Sequence, residues 1–169
     1  FIDPTNIINN IDYSSVENKF TTNRLETLAQ HLSFTVKSYN DNQADTSSGV
    51  ALNSLDLVVT QRCSLKCTDC SNLMQYFERP KNADKQILIK SLDKLMSAVR
   101  ELNELRVIGG EPLVNKEIYD ILEHCSKISK IKSIVVYTNG TIIPSEDRFK
   151  ELSLMSNLVI KISDYGPDL

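Results

Sequence analysis

Four short runs of apolar residues lie in the last two thirds of the chain and have the length of buried β-strands. Continuous apolar runs of about four to eight residues are typical of strands that are covered on both faces. The four runs are LDLVVT at 55–60, LRVIGG at 105–110, SIVVYT at 133–138 and LVIKIS at 158–163. We therefore predict four strands in this part of the chain.

Amphipathic helices separate the predicted strands. Apolar residues recur at helical spacing from about residue 84 to residue 103, a second helix is predicted after Asn115, which is suited to cap it, and a third covers 145–155. The apolar face of the first helix is Leu88, Leu92, Leu95, Met96, Val99 and Leu102, and that of the second is Ile118, Ile121, Leu122 and Cys125. Strands that alternate with helices predict right-handed βαβ units, and hence an α/β fold with a parallel sheet.

The first 50 residues have a different character. Residues 1–20 are polar and rich in Asn, and 39–49 has the composition of a linker. Between them, apolar positions at helical spacing predict one amphipathic helix from Thr22 onward. We therefore expect an N-terminal extension over 1–50, followed by the α/β unit over 51–169.

Composition narrows the classes of partner. The formal net charge of the 169-residue chain is −3, which gives no reason to expect nucleic acid or a membrane surface as a partner. There is no apolar run of 18 residues, and the first residues, FIDPTNIINN, lack the pattern of a signal peptide. These features predict a cytoplasmic protein.

Three of the four cysteines lie within eight residues, directly after the first predicted strand. A disulfide framework would spread its cysteines along a secreted chain, whereas Cys63, Cys67 and Cys70 share one short loop. Thiolates suit iron–sulfur clusters and zinc. Two other interpretations stay open on this spacing alone: a zinc site completed by His124 or Cys125, and three thiols that bind no metal. The position of Cys125 on an apolar helical face favours a small buried side chain.

At this loop the sequence resembles a known family. The stretch VTQRCSLKCTDC, at 59–70, is similar to the signature of the radical S-adenosylmethionine (radical SAM) superfamily, in its maturase-like branch. The resemblance implies that Cys63, Cys67 and Cys70 bind three irons of a 4Fe–4S cluster, while S-adenosylmethionine chelates the fourth. It also implies reductive cleavage of S-adenosylmethionine to methionine and a 5′-deoxyadenosyl radical, which abstracts hydrogen from a substrate. Asp69 departs from the family, which usually has an aromatic residue there.

Polar and glycine residues follow the other three predicted strands. In parallel α/β folds, ligands bind at this edge of the sheet. The segments are Gly109-Gly110-Glu111-Pro112, Thr138-Asn139-Gly140 and Ser163-Asp164-Tyr165-Gly166. Two adjacent glycines would let the backbone approach a ligand, and Pro112 could equally begin a helix. Asn-Gly is also a common turn pair.

The resemblance assigns cofactor contacts to these segments. Glu111, with its neighbours Gly109, Gly110 and Pro112, is expected to meet the amino group of S-adenosylmethionine. Thr138 and Asn139 are expected near the cofactor, and Ser163 and Asp164 near its ribose hydroxyls. No catalytic side chain is assigned.

The same resemblance suggests partners. It favours a peptide or protein substrate and an electron donor such as flavodoxin or ferredoxin. Met74, Tyr76 and Phe77, after the cysteine loop, are candidates to meet substrate or simply to pack. Two other classes of function stay open: a zinc-binding structural module, and a degenerate barrel that binds partners without chemistry.

The predicted architecture is a partial parallel (βα) barrel. The resemblance covers Ser54 to Gly166 and supplies four strands, where the family's barrel has about six. We therefore expect this sequence to be part of a longer protein, and we expect the apolar fourth strand to present an unpaired edge.

Overall fold

The computed structural model describes residues 49–163, and they form an α/β fold built on one four-stranded sheet. The strands are β1 (Val50–Thr60), β2 (Val99–Gly109), β3 (Ile131–Thr138) and β4 (Leu158–Ile162). The helices are α1 (Lys85–Ala98), α2 (Ile118–Ser126) and α3 (Glu146–Ser153). Short 3₁₀ turns at Met74–Tyr76 and Pro112–Val114 follow β1 and β2.

The sheet follows the order of the chain. Its strands run in parallel in the order β1-β2-β3-β4, with Val107 opposite Val136 and Val136 opposite Ile160. Along the chain, one helix lies between every two consecutive strands, which is the βαβ arrangement that the alternating pattern predicted. The predicted fold class, a partial parallel (βα) barrel with four strands, is confirmed.

The core lies between the sheet and the helices. The side chains that are fully buried come mainly from β2, β3 and α2: Leu102, Leu105, Val107, Ile118, Ile121, Leu122, Ile134, Val135 and Val136. Helix α1 adds Leu92 and Met96. The apolar face predicted for α2 is buried throughout. The face predicted for α1 is buried only in part, because Leu95 is 40% exposed and Leu102 lies in β2. Burial of apolar surface accounts for this layer.

Element boundaries differ from the sequence prediction at several places, and β1 already begins at residue 50 instead of residue 55. Helix α1 ends at Ala98 instead of about residue 103, because Val99 already begins β2. Asn115 does not cap α2, whose N-terminal cap position is Glu117. The buried side-chain amide of Asn115 instead donates to the carbonyl of Val59 in β1 (3.0 Å), and Asn115 Oδ1 accepts from the Glu117 N–H (3.1 Å). It therefore joins the start of α2 to the sheet.

Strand β4 forms one end of the sheet order and carries exposed apolar side chains. Val159, Ile160 and Ile162 are 44%, 37% and 68% exposed. Among residues 49–163, β3 is the one strand that pairs with β4, so the other edge of β4 is unpaired within this part of the chain, as predicted. No helix in the described part of the chain is both long and apolar enough to cross a membrane.

Some predictions fall on other residues. The amphipathic helix within 1–50 lies outside the described residues, as do Asp164 and Gly166. The boundary between an extension and the α/β unit therefore stays a prediction.

Candidate functional site

A cavity of about 550 Å³ lies at the carboxyl ends of the strands, where the sequence placed its ligand-binding edge. The cysteine loop contributes all three of its thiols to the lining, Cys63, Cys67 and Cys70. Each later strand contributes the residues that follow it or end it: Gly109 and Gly110 from β2, Thr138 and Asn139 from β3, and Ser163 from β4. A volume of this size is typical of pockets that hold a small molecule or cofactor.

The two glycines are needed for contact between strands. A Cβ at Gly109 would lie 2.3 Å from the carbonyl oxygen of Thr60, and φ at this glycine is +151°. A Cβ at Gly110 would lie 2.2 Å from the carbonyl oxygen of Arg62 and 2.9 Å from the Cβ of Cys63. Both glycines also line the cavity, and their expected close approach to a ligand stays a prediction. The contact that the structure shows is with the end of β1, and it brings the cysteine loop against β2.

Glu111 is fully buried and its carboxylate is bound by groups of the protein itself. Oε1 accepts from Thr138 Oγ1 (2.8 Å) and from the Leu113 N–H (3.0 Å), and Oε2 accepts from the Asn139 N–H (2.7 Å). These donors offset the cost of burying a carboxylate. Glu111 and Pro112 do not line the cavity. The expected contact of Glu111 with an amino group stays a prediction, and its observed role is to tie the end of β2 to the end of β3.

Asn139 reaches from the end of β3 to the cysteine loop. Its amide nitrogen lies 3.6 Å from the sulfur of Cys63 and 3.1 Å from Ser64 Oγ. Its Oδ1 accepts from the N–H (3.0 Å) and the hydroxyl (2.7 Å) of Thr141. The structure thus brings the predicted residues Asn139 and Cys63 together.

The remaining cysteine lies away from the cavity. Cys125 is completely buried on α2, and desolvation together with the charge of Asp93 raises the pKa of its thiol to about 12. The prediction of a small buried side chain is confirmed. His124 bonds through Nε2 to Asp93 Oδ1 (2.7 Å), and it does not line the cavity either. Neither residue is placed to complete a zinc site with the loop thiols.

Sequence reasoning missed several cavity residues that lie within strands. Arg106 Nε in β2 contacts Asp56 Oδ1 in β1 at 2.6 Å, and both side chains line the cavity. Tyr137 of β3 also lines it and has Lys161 Nζ 5.2 Å from its ring centroid. The signal that could have identified Asp56 and Arg106 is their charge within otherwise apolar strands, since a fully covered strand rarely carries charged residues.

Comparison with known proteins identifies the family. The sequence model of the radical SAM superfamily matches residues 57–163, well over half of the chain. The chain belongs to the radical SAM superfamily. The match begins within β1 and ends at Ser163, so it includes all of β2, β3 and β4 and every cavity-lining residue except Asp56.

Curated relatives of this chain include GTP 3′,8-cyclases. The enzyme of Clostridium acetobutylicum is 36% identical over 92 residues, which is 53% of this chain and 28% of the relative. That of Peptoclostridium acidaminophilum is 30% identical over 122 residues, 70% of this chain and 37% of the relative. The chain therefore spans about a third of the length of these relatives.

Solved structures of one other protein share the fold. Streptococcus suis SuiB bound to S-adenosylmethionine superposes with a TM-score of 0.53 at 20% identity, covering 94% of this chain and 32% of that one. SuiB bound to its precursor peptide SuiA gives a TM-score of 0.51 at 19% identity, covering 96% and 32%. At this identity the likeness concerns the fold.

The chemistry of the loop fits the iron–sulfur cluster that the radical SAM superfamily implies. Three free thiols of intermediate exposure line one cavity, and cysteine thiolates are the usual ligands of such clusters. Within residues 49–163, no three His, Cys, Asp or Glu side chains already stand in an arrangement that could hold a metal ion.

Proposed function

We propose that the protein binds a 4Fe–4S cluster through Cys63, Cys67 and Cys70, and binds S-adenosylmethionine in the same cavity. The observation that carries the proposal is the shared lining: the three thiols and the ends of β2, β3 and β4 face one space of about 550 Å³. Family membership indicates an enzyme. When bound, cluster and cofactor together supply reductive cleavage to methionine and a 5′-deoxyadenosyl radical, which abstracts hydrogen from the substrate.

The protein's own residues would bind and orient the cofactor. Asn139, Thr138 and Ser163 contribute polar groups to the lining, and Gly109 and Gly110 leave the wall free of side chains. Asp164, the next residue after Ser163, remains our candidate for a ribose hydroxyl. Glu111 acts from behind this wall, because its carboxylate holds Thr138 and the backbone of Asn139 in place.

A peptide or protein is the substrate class that we favour. An exposed apolar surface follows the cysteine loop, with Leu73, Tyr76 and Phe77 at 57%, 74% and 41% exposure, and Met74 connects it to the cavity lining. Contiguous exposed apolar residues beside a pocket are typical of a binding surface for another chain. The fold of SuiB, which has been solved with its precursor peptide, supports the same class.

A nucleotide is the second candidate substrate. The observation in its favour is sequence identity: the GTP 3′,8-cyclase relatives reach 36%, whereas the SuiB structures reach 20%. The two candidates differ in the kind of substrate that binds beside the cofactor. A turnover experiment that compares a nucleotide with peptides therefore distinguishes them.

The electron needed for cleavage would come from a separate protein. We propose a flavodoxin or a ferredoxin for this role, and a cytoplasmic location in which such donors are available. An extension over residues 1–50 ahead of the catalytic unit is part of the same proposal.

The test is anaerobic turnover of the reconstituted full-length protein with S-adenosylmethionine and dithionite. We expect 5′-deoxyadenosine and methionine in equal amounts, and neither product from Cys67→Ala. A protein with an intact, reduced cluster that forms no 5′-deoxyadenosine would contradict the proposed activity. In parallel reactions with GTP and with a pool of synthetic peptides, we expect the peptides to raise 5′-deoxyadenosine formation; conversion of GTP would instead establish the second candidate.

A further inference from the structure

The orientation of the Asn139 carboxamide is fixed by its surroundings. Its Oδ1 accepts from the backbone N–H of Thr141 (3.0 Å), and a backbone N–H can bond only to an acceptor. The oxygen therefore has to face Thr141, and the NH₂ group has to face the opposite way. The NH₂ group lies 3.6 Å from the sulfur of Cys63 and 3.1 Å from Ser64 Oγ, and that hydroxyl also lies 3.5 Å from Oδ1.

The backbone of Asn139 is held as well. Its N–H donates to Oε2 of the buried Glu111 (2.7 Å), and the same carboxylate binds the hydroxyl of Thr138, the preceding residue. Ser64 Oγ also bonds to Thr141 Oγ1, which closes a small network between the β3 loop and the cysteine loop. An amide that is anchored at its backbone and at its oxygen presents its N–H groups in one direction with little freedom.

Cys63 thus has a hydrogen-bond donor from outside its own loop. The Leu65 N–H approaches the same sulfur at 3.4 Å from within the loop, whereas Asn139 approaches it from the end of β3, 76 residues further along the chain. Hydrogen bonds to the sulfurs of an iron–sulfur cluster help to set its reduction potential. A donor stabilises the more negative, reduced form, and so raises the potential.

We propose that Asn139 is a positioning residue that donates a hydrogen bond to the sulfur of Cys63 and raises the reduction potential of the cluster. The proposal rests on the proposed function, in which Cys63 is a cluster ligand. Asn139 would act without binding iron, through a bond whose geometry the network of Glu111, Ser64 and Thr141 maintains.

The test is the midpoint potential of the reconstituted full-length protein, measured by a redox titration monitored by electron paramagnetic resonance. Asn139→Leu removes the donor at nearly constant volume. We expect a more negative potential, by up to about tenfold in the equilibrium constant for reduction, which is about 59 mV for one electron. Asn139→Asp, which keeps the acceptor for Thr141 but loses the donor and adds charge, should shift in the same direction.

Tyr137→Phe is the matched control. It removes a hydroxyl from a residue of β3 that lines the same cavity, and that hydroxyl accepts from Lys161 Nζ (3.3 Å), so its potential should equal that of the wild type. The inference is overturned if both Asn139 variants keep the wild-type potential, if Tyr137→Phe shifts as far as Asn139→Leu, or if both Asn139 variants lose the cluster. A wild-type protein that assembles no 4Fe–4S cluster would instead overturn the proposed function, and the inference with it.

Discussion

At the scale of single residues, Glu111 is the most constrained side chain of the site. It is a carboxylate with no exposure, and it receives two backbone N–H groups and one hydroxyl. A buried charge persists only where such donors replace water. Its position after β2 and its partners after β3 mean that it fixes the relative placement of two strand ends that line the cavity.

This arrangement predicts that Glu111→Gln is less stable than the wild type even when both proteins are free of cofactor. The glutamine NH₂ group would face either the Asn139 N–H or the Leu113 N–H and the Thr138 hydroxyl, so at least one buried donor loses its acceptor. We expect the free energy of unfolding to fall by about 1–3 kcal/mol. Urea unfolding of the cofactor-free protein measures it.

Glu123→Gln is the control for that measurement. Glu123 is exposed and pairs with Lys127 on the surface of α2, so its substitution should change stability by no more than about 0.5 kcal/mol. Equal stability of Glu111→Gln and wild type would mean that the carboxylate serves a ligand alone, as the sequence argument first suggested.

Single residues also show which features of the site could be predicted from the sequence. The three cysteines and the polar strand ends could be predicted, because spacing and residue type carry their chemistry. The partners of Glu111 and Asn115 could not, because both side chains bind residues of other strands. Nothing local in the sequence distinguishes a carboxylate that faces a ligand from one that faces the next strand.

At the scale of elements, the junction between α1 and β2 is the clearest departure from prediction. Val99, Leu102 and Leu105 are buried at intervals of three residues, which imitates the spacing of a helix. The structure ends the helix at Ala98 because the following segment pairs with β3, with Leu102 opposite Ile131. Pairing with a distant strand thus overrides a local pattern.

Lys130 stabilises this junction. Its Nζ donates to the carbonyl oxygens of Met96 (2.8 Å) and Val99 (2.7 Å), at the end of α1 where backbone carbonyls lack helical partners. Lys130→Met should therefore lower the free energy of unfolding by about 1–3 kcal/mol, because two charge-assisted hydrogen bonds are lost.

The same denaturation experiment on Lys127→Met provides the comparison. Lys127 is exposed and forms a single surface ion pair with Glu123, so a small effect is expected there. If the two variants lose the same stability, the bonds of Lys130 do not hold the end of α1.

At the scale of the whole molecule, the polar and thiol groups of the candidate site lie apart from the apolar core. The core between the sheet and helices is apolar, while the thiols, glycines and polar side chains gather at the carboxyl edge. The alternation of strands and helices predicted this arrangement, because parallel strands end at one edge. The exposed apolar residues of β4 were also predicted, from the position of that strand at the end of the sheet.

The proposed function depends most on the cysteine loop, and the metal content of the protein tests it most directly. Iron, acid-labile sulfide and zinc would be measured on the full-length protein after anaerobic reconstitution. We predict about four iron and four sulfide per chain in the wild type and in Cys125→Ala, and loss of the cluster in Cys63→Ala, Cys67→Ala and Cys70→Ala. Zinc without sulfide in the wild type, or loss of the cluster in Cys125→Ala, would contradict the assignment.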